Sequence, residues 1–164
     1  MHNKILKNYI RYIIKENLEI TNQNLYVFDF DMTLYNSDKK TWNEEVLNNL
    51  YKAIEESNTR VILCTARTSN NEIISNTESI LNTKEISLFN NNQYQYSFDN
   101  YYFKSNLRKE SVPKYKAFTI SDEASMFNVN IVKFWDDRED TLLETEKVLS
   151  GLNVEYEGIK PKLF

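Results

Sequence analysis

The sequence predicts an α/β protein with a mostly parallel sheet and helices on both faces. Three observations carry this. Three short apolar runs, at residues 25–28, 60–65 and 131–135, lack polar alternation, as strands buried on both faces do. Segments with helical spacing of apolar residues stand between them. The chain's 164 residues make one domain, long enough to remove roughly two-thirds of the unfolded surface from water.

Each element follows from its residues. Ile5, Leu6, Tyr9, Ile10, Ile13 and Ile14 fall at helical spacing across residues 4–19. Leu25 to Phe28 then form a strand that ends in acid, at Asp29 and Asp31. Val46, Leu47, Leu50 and Ile54 predict a helix over 43–57. The run RVILCT at 60–65 predicts a second buried strand, and Ile73, Ile74, Ile80 and Leu81 a helix over 70–82. Residues 86–103 are aromatic and strand-like, broken by Asn-rich turns. Pro113 suits the first turn of a helix over 114–127. Ile131 to Trp135 form a third buried strand, ending at Asp136 and Asp137. A helix over 139–149 is expected to stop at Gly151, and a last strand to lie at 154–156.

Composition excludes several function classes. There are two glycines, where about eleven would be average. Glycine-built phosphate loops and dinucleotide fingerprints are therefore absent, and any phosphate must be held by side chains, a metal or non-glycine amides. The net charge of −4 gives no global attraction to nucleic acid or anionic lipid. A single cysteine, Cys64, allows no internal disulfide, and the single histidine, His2, lies at the start of the chain. No apolar run approaches a membrane span, and no signal-peptide core interrupts the charges of Lys4, Lys7, Arg11 and Lys15. The expectation is a soluble cytoplasmic protein with no membrane partner.

In an open α/β sheet, ligands bind outside the carboxyl ends of the strands. Three predicted strands end there in functional groups: Asp29-x-Asp31-x-Thr33, Thr65-Ala66-Arg67 and Asp136-Asp137-Arg138. If the strands are neighbours, four carboxylates share one crevice. Their repulsion calls for a cation, and oxygen-only donors suit Mg²⁺. Asp29 and Asp31 fall on one side of a strand, so that one can attack while the other serves as acid or base. A lone aspartate or threonine at a strand end is more often a cap or turn residue. The ordered combination is what raises these above that reading.

These motifs resemble those of the haloacid dehalogenase (HAD) superfamily of phosphotransferases. VFDFDMT at 27–33 is similar to the first signature, VILCT at 61–65 to the second, Lys116 in YKAFTI to the third and VKFWDD at 132–137 to the fourth. The resemblance spans residues 25 to about 156, nearly the whole chain. A narrower likeness, in Thr65-Ala66-Arg67, Phe103-Lys104, Tyr115-Lys116 and Asp136-Asp137-Arg138, is to the polynucleotide kinase-phosphatase and Swiss Army Knife RNA repair-like branch. Many superfamily members have glycine after the second aspartate, and this chain has Met32.

The resemblance implies a three-layer Rossmann-like fold over 25–164, without a large cap, preceded by a helical extension at 1–24. It implies that Asp29 is the nucleophile, Asp31 the general acid and base, and that Thr65 and Lys116 bind phosphoryl oxygens. Lys104 and Lys114 compete with Lys116 for its role. Mg²⁺ would be held by Asp29, the Asp31 carbonyl and the Asp136–Asp137 pair, with Asp137 preferred as the direct ligand. Thr33, Arg67, Lys104 and Arg138 are expected to bind substrate, although each arginine has an acid close by to pair with instead. Between Asp31 and Thr65 there is room for a turn and one helix only. An open site suits a macromolecular end, chiefly a polynucleotide 3′-phosphate. Lys104, Arg108, Lys109, Lys114 and Lys116, beside Tyr101, Tyr102 and Phe103, could track and stack a single strand; the alternative is a solvated loop after an aromatic core strand. Small phosphomonoesters such as nucleotides are the alternative substrates. A phosphate- or RNA-end-binding module without turnover is the non-enzymatic alternative.

Overall fold

A computed structural model describes residues 23–88 and 93–162. The expected helix at 4–19 lies outside the described residues, and of the expected extension at 1–24 only Gln23 and Asn24 fall within them.

Five parallel strands form the central sheet: β1 (Gln23–Phe28), β4 (Thr59–Thr68), β7 (Asn100–Lys104), β8 (Val129–Trp135) and β9 (Glu155–Ile159), in the order β7-β4-β1-β8-β9. Side chains alternate between faces and both faces are covered, which is why the strands read as unbroken apolar runs. Phe28, Val61 and Leu63 point to one face, where α1 (Glu44–Glu55) and α2 (Asn71–Asn82) supply Leu47, Leu50 and Leu81. Val27, Ile62, Val132 and Phe134 point to the other, under α3 (Val112–Met126) and α4 (Glu139–Leu149) with Tyr115, Ile120 and Leu142. The three layers match the expected fold class.

From β1 the chain steps outward to β4 and β7, then crosses β1 and steps through β8 to β9. The direction reverses at β1, so the crevice at its carboxyl end, between β1 and β8, is where this fold binds ligands. A hairpin of β2 (Tyr35–Asn36) and β3 (Thr41–Trp42) stands beside that crevice. It occupies the stretch expected to hold only a turn, and no cap is inserted there. The aromatic stretch at 86–103 gives one sheet strand, β7, and a two-residue parallel pair, β5 (Ile86–Ser87) with β6 (Tyr96–Ser97).

Asn43 and Asn70 cap α1 and α2, their side chains accepting from Val46 N and Ile73 N. Gly151 does not close α4 in the expected way. No glycine has a positive φ, and Ser150 is the C-cap in a right-handed conformation. Left-handed turns are made by other residues: Met32 (φ 59°), Lys40 (φ 55°), Glu85 (φ 57°) and Asn128 (φ 48°). Asparagine tolerates this region; for the others it costs about 1–2 kcal/mol each.

Glu85 is exposed, which makes it the clean place to measure that strain. Glu85→Gly should raise thermal stability by about 0.5 kcal/mol, while Glu85→Val should lower it by about 1 kcal/mol or more. The melting order Gly above Glu above Val checks this, and any other order removes the strain argument.

Candidate active site

Asp29 is the first residue after β1. Its amide donates to Trp135 O at 3.0 Å, continuing the β1–β8 pairing. The Phe28 and Trp135 rings stack at 4.4 Å just beneath, which fixes the two strand ends side by side. Asp136 and Asp137 follow β8. One carboxylate oxygen from each of Asp29, Asp136 and Asp137 lies within 4.8 Å of the others.

Lys116 enters from the second turn of α3, whose start is set by Pro113. It is 1% exposed, and its Nζ sits 2.8 Å from Asp29 Oδ1 and 2.6 Å from Asp136 Oδ2. Three carboxylates with one ammonium leave two negative charges in a largely dry site. Hard oxygen donors and excess negative charge fit Mg²⁺. Asp136 is fully buried, and its oxygens already accept from Lys116 Nζ and the Arg138 amide. Asp137 is half-buried and is the more accessible of the pair.

Burial pushes the Asp29 carboxyl up to about 7, with Asp136 adding to the rise and Lys116 opposing it. Burial works to lower the Lys116 pKa, but Asp29 and Asp136 outweigh it and the net direction is up. Burial, then the Asp136 charge, raises Asp137. Cys64, completely buried in β4, has its thiol pushed up to about 12 by burial and behaves as a core residue.

Asp31, two residues beyond Asp29, has a 42% exposed side chain. Arg67 grips it bidentately, Nε to Oδ2 at 2.8 Å and Nη2 to Oδ1 at 2.7 Å. Thr65 is completely buried at the carboxyl end of β4, and its hydroxyl accepts the Arg67 amide.

Several expected substrate contacts are placed otherwise. Thr33 is completely buried and accepts the Asp137 amide at 3.0 Å, so it ties the two acidic strand ends together. Arg67 pairs with Asp31, and Arg138 pairs with Asp140 at 2.7 Å, the acid-pairing alternative in both cases. Lys104 donates to Arg108 O at 2.8 Å within its own loop, and Lys116, not Lys104 or Lys114, reaches the carboxylates. The aromatic run packs into the sheet: Phe103 and Tyr101 on one face, Tyr102 on the other. Phe103 is buried, and Tyr101 and Tyr102 are half-buried. Ser37, Asn76 and Thr77, none of them singled out by sequence, surround Arg67. The sequence carried one faint signal of this, a threonine, Thr77, at a position of α2 that turns out completely buried.

No family model and no curated protein matches the chain. Solved structures do. The HAD domain of the effector protein Lem4 from Legionella pneumophila superposes with a TM-score of 0.58 at 15% identity, covering 88% of this chain and 89% of that one. At that identity the likeness establishes the fold: a HAD-type, Rossmann-like α/β architecture. Among the described residues, no helix is long and apolar enough to cross a membrane.

The raised Asp29 carboxyl has a signed consequence. Between its ordinary 3.8 and about 7, the folded chain holds a proton that the unfolded chain has released. Its contribution to stability therefore falls as pH rises through that window. Without divalent metal, Asp29→Asn should gain on the native chain in melting temperature as pH goes from 4 to 7, by several degrees in all. A difference that stays flat with pH would show that Asp29 ionises as a surface carboxyl does.

Proposed function

We propose that the chain is a phosphomonoester hydrolase working through an aspartyl-phosphate on Asp29. The observation that carries this reading is the Asp29–Lys116–Asp136 cluster at the fold's switch point, with a second carboxylate, Asp31, two residues from the nucleophile.

In the first step, an Asp29 carboxylate oxygen forms a bond to phosphorus as the bond to the leaving oxygen breaks, and Asp31 gives that oxygen a proton. In the second, water attacks phosphorus, Asp31 takes a proton from it, and inorganic phosphate leaves with Asp29 restored. Lys116 places positive charge beside the nucleophile and the transferring oxygens. The Thr65 hydroxyl accepts from the Arg67 amide and keeps its own hydrogen to donate to a phosphoryl oxygen. Held by Asp29, Asp137, Asp136 and the Asp31 carbonyl, Mg²⁺ would offset the repulsion between an anionic nucleophile and an anionic phosphate.

Among the described residues, the site is flanked by one short hairpin and by no cap that would enclose a small molecule. That favours a phosphate on a macromolecular end, and a polynucleotide 3′-phosphate is the substrate we favour. Lys109 and Lys114 are exposed in the loop and first helical turn after β7, where they can meet a strand's backbone. The half-buried Tyr35 and Trp42, 5.1 Å apart in the hairpin, are further rings that a base could contact.

The test is phosphate release from 3′-phosphorylated DNA and RNA, 5′-phosphorylated strands, nucleotides and p-nitrophenyl phosphate, with and without Mg²⁺. Release should need the metal, and Asp29→Asn and Asp31→Asn should each lower it about 100-fold or more. Tight binding of a 3′-phosphorylated strand without release, unchanged in Asp31→Asn, would make the chain a binding module instead.

A further inference from the structure

The surroundings of Arg67 assign it a role different from phosphate binding. A guanidinium has five N–H donors, and here each has an acceptor. Nε donates to Asp31 Oδ2 at 2.8 Å; Nη2 donates to Asp31 Oδ1 at 2.7 Å and Ser37 Oγ at 2.9 Å; Nη1 donates to Thr77 Oγ1 at 3.0 Å and Asn76 Oδ1 at 3.5 Å. The group also lies 4.4 Å from the centre of the Phe30 ring, and the side chain is only 13% exposed. Binding a substrate phosphate would mean breaking one of these bonds.

The brace is closed on both sides. Thr77 is completely buried and donates its own hydroxyl to Ile73 O, so its lone pair faces Arg67 in a fixed direction. Ser37, in the hairpin turn, both accepts from Arg67 and donates to Asp31 Oδ1 at 2.9 Å. Helix α2, the hairpin and the end of β4 thus converge on one carboxyl group.

We propose that Arg67 and Ser37 are positioning residues for Asp31, and that they select the oxygen that moves the proton. Oδ1 accepts two bonds, from Arg67 and Ser37. Among the described residues, Oδ2 accepts one, from Arg67, and keeps a second lone-pair site for a proton. Oδ2 is then the atom that gives the proton to the leaving oxygen and takes one from water. This rests on the hydrolase reading above and adds to it which groups aim the acid.

Leaving groups separate the two roles of Arg67. An alkyl alkoxide needs a proton as the phosphorus–oxygen bond breaks, whereas p-nitrophenolate leaves readily without one. Both esters carry the same phosphoryl group. The experiment compares kcat/KM for glycerol 2-phosphate and p-nitrophenyl phosphate, since that ratio reports the step in which the leaving group departs. Arg67→Ala should lose about tenfold or more on the alkyl ester beyond its loss on the aryl ester. Ser37→Ala, an exposed change that leaves the core untouched, should shift the same way by a smaller factor. Arg67→Lys keeps a positive charge without the fork and should stay close to Arg67→Ala. Equal losses on both esters, or full rescue by lysine, would overturn the proposal and return Arg67 to phosphate binding. Release by the native chain from neither ester, nor from any phosphomonoester of the panel above, would overturn the hydrolase reading itself, and the proposal with it.

Discussion

The buried ammonium of Lys116 is the constraint around which this site is arranged. Two carboxylates at the ends of adjacent strands, Asp29 and Asp136, are both nearly dry. Without a cation between them, their burial and mutual repulsion would cost several kcal/mol. Lys116 reaches both from α3, so α3 must start where it does and pack as it does. Replacing such a group of charges with apolar side chains of similar volume is often neutral or stabilising. The arrangement is therefore poorly explained as a device for holding the fold together. A group of charges kept dry and pre-aligned is what electrostatic catalysis requires.

Much of this was legible in the sequence for a simple reason. Strands covered on both faces cannot alternate polar and apolar residues, so β1, β4 and β8 read as apolar runs, and the polar groups at their carboxyl ends stood out. Lys116 was legible only through its resemblance-derived place before Asp136, because a lysine near a helix start ordinarily faces solvent. The bond that Thr33 makes was not legible in the sequence, where a hydroxyl beside two aspartates suggests a ligand contact. Its partner is a backbone amide 104 residues away, and no local pattern records such a pairing. The aromatic run at 101–103 was open to two readings for a related reason. Phe103 is buried in the core while Tyr101 and Tyr102 are half-buried, and sequence alone does not separate rings that serve the core from rings that would serve a base.

The scarcity of glycine has a physical consequence at the site. The turn after Asp31 needs a left-handed residue, and Met32 occupies it at φ 59°. Its amide donates to Tyr35 O, while Leu34 and Tyr35 donate to Phe30 O, so the turn is held by its own backbone bonds. The strain is thus carried by a closed local network and does not depend on distant packing. Gly158 is a different case. A side-chain carbon there would lie 3.3 Å from Leu142 Cβ, so the closeness of β9 to α4, and not backbone conformation, asks for glycine.

Asp29 and Asp31 are neighbours in sequence, yet their surroundings are opposed. Asp29 is buried against an ammonium and other carboxylates, and burial raises its carboxyl. Asp31 stands at the edge, two-fifths exposed, with its negative charge met by a guanidinium. A nucleophile needs to be dry and fixed, because water around it must otherwise be removed during attack. A group that exchanges protons twice per cycle needs a route to solvent and a fixed direction. Asp29 follows directly on the end of β1 and Asp31 lies at the start of the hairpin, and the different depths of these two places do the rest. The division of labour we propose for these identical side chains follows from where the chain leaves the sheet: one residue before the turn begins, and one residue after.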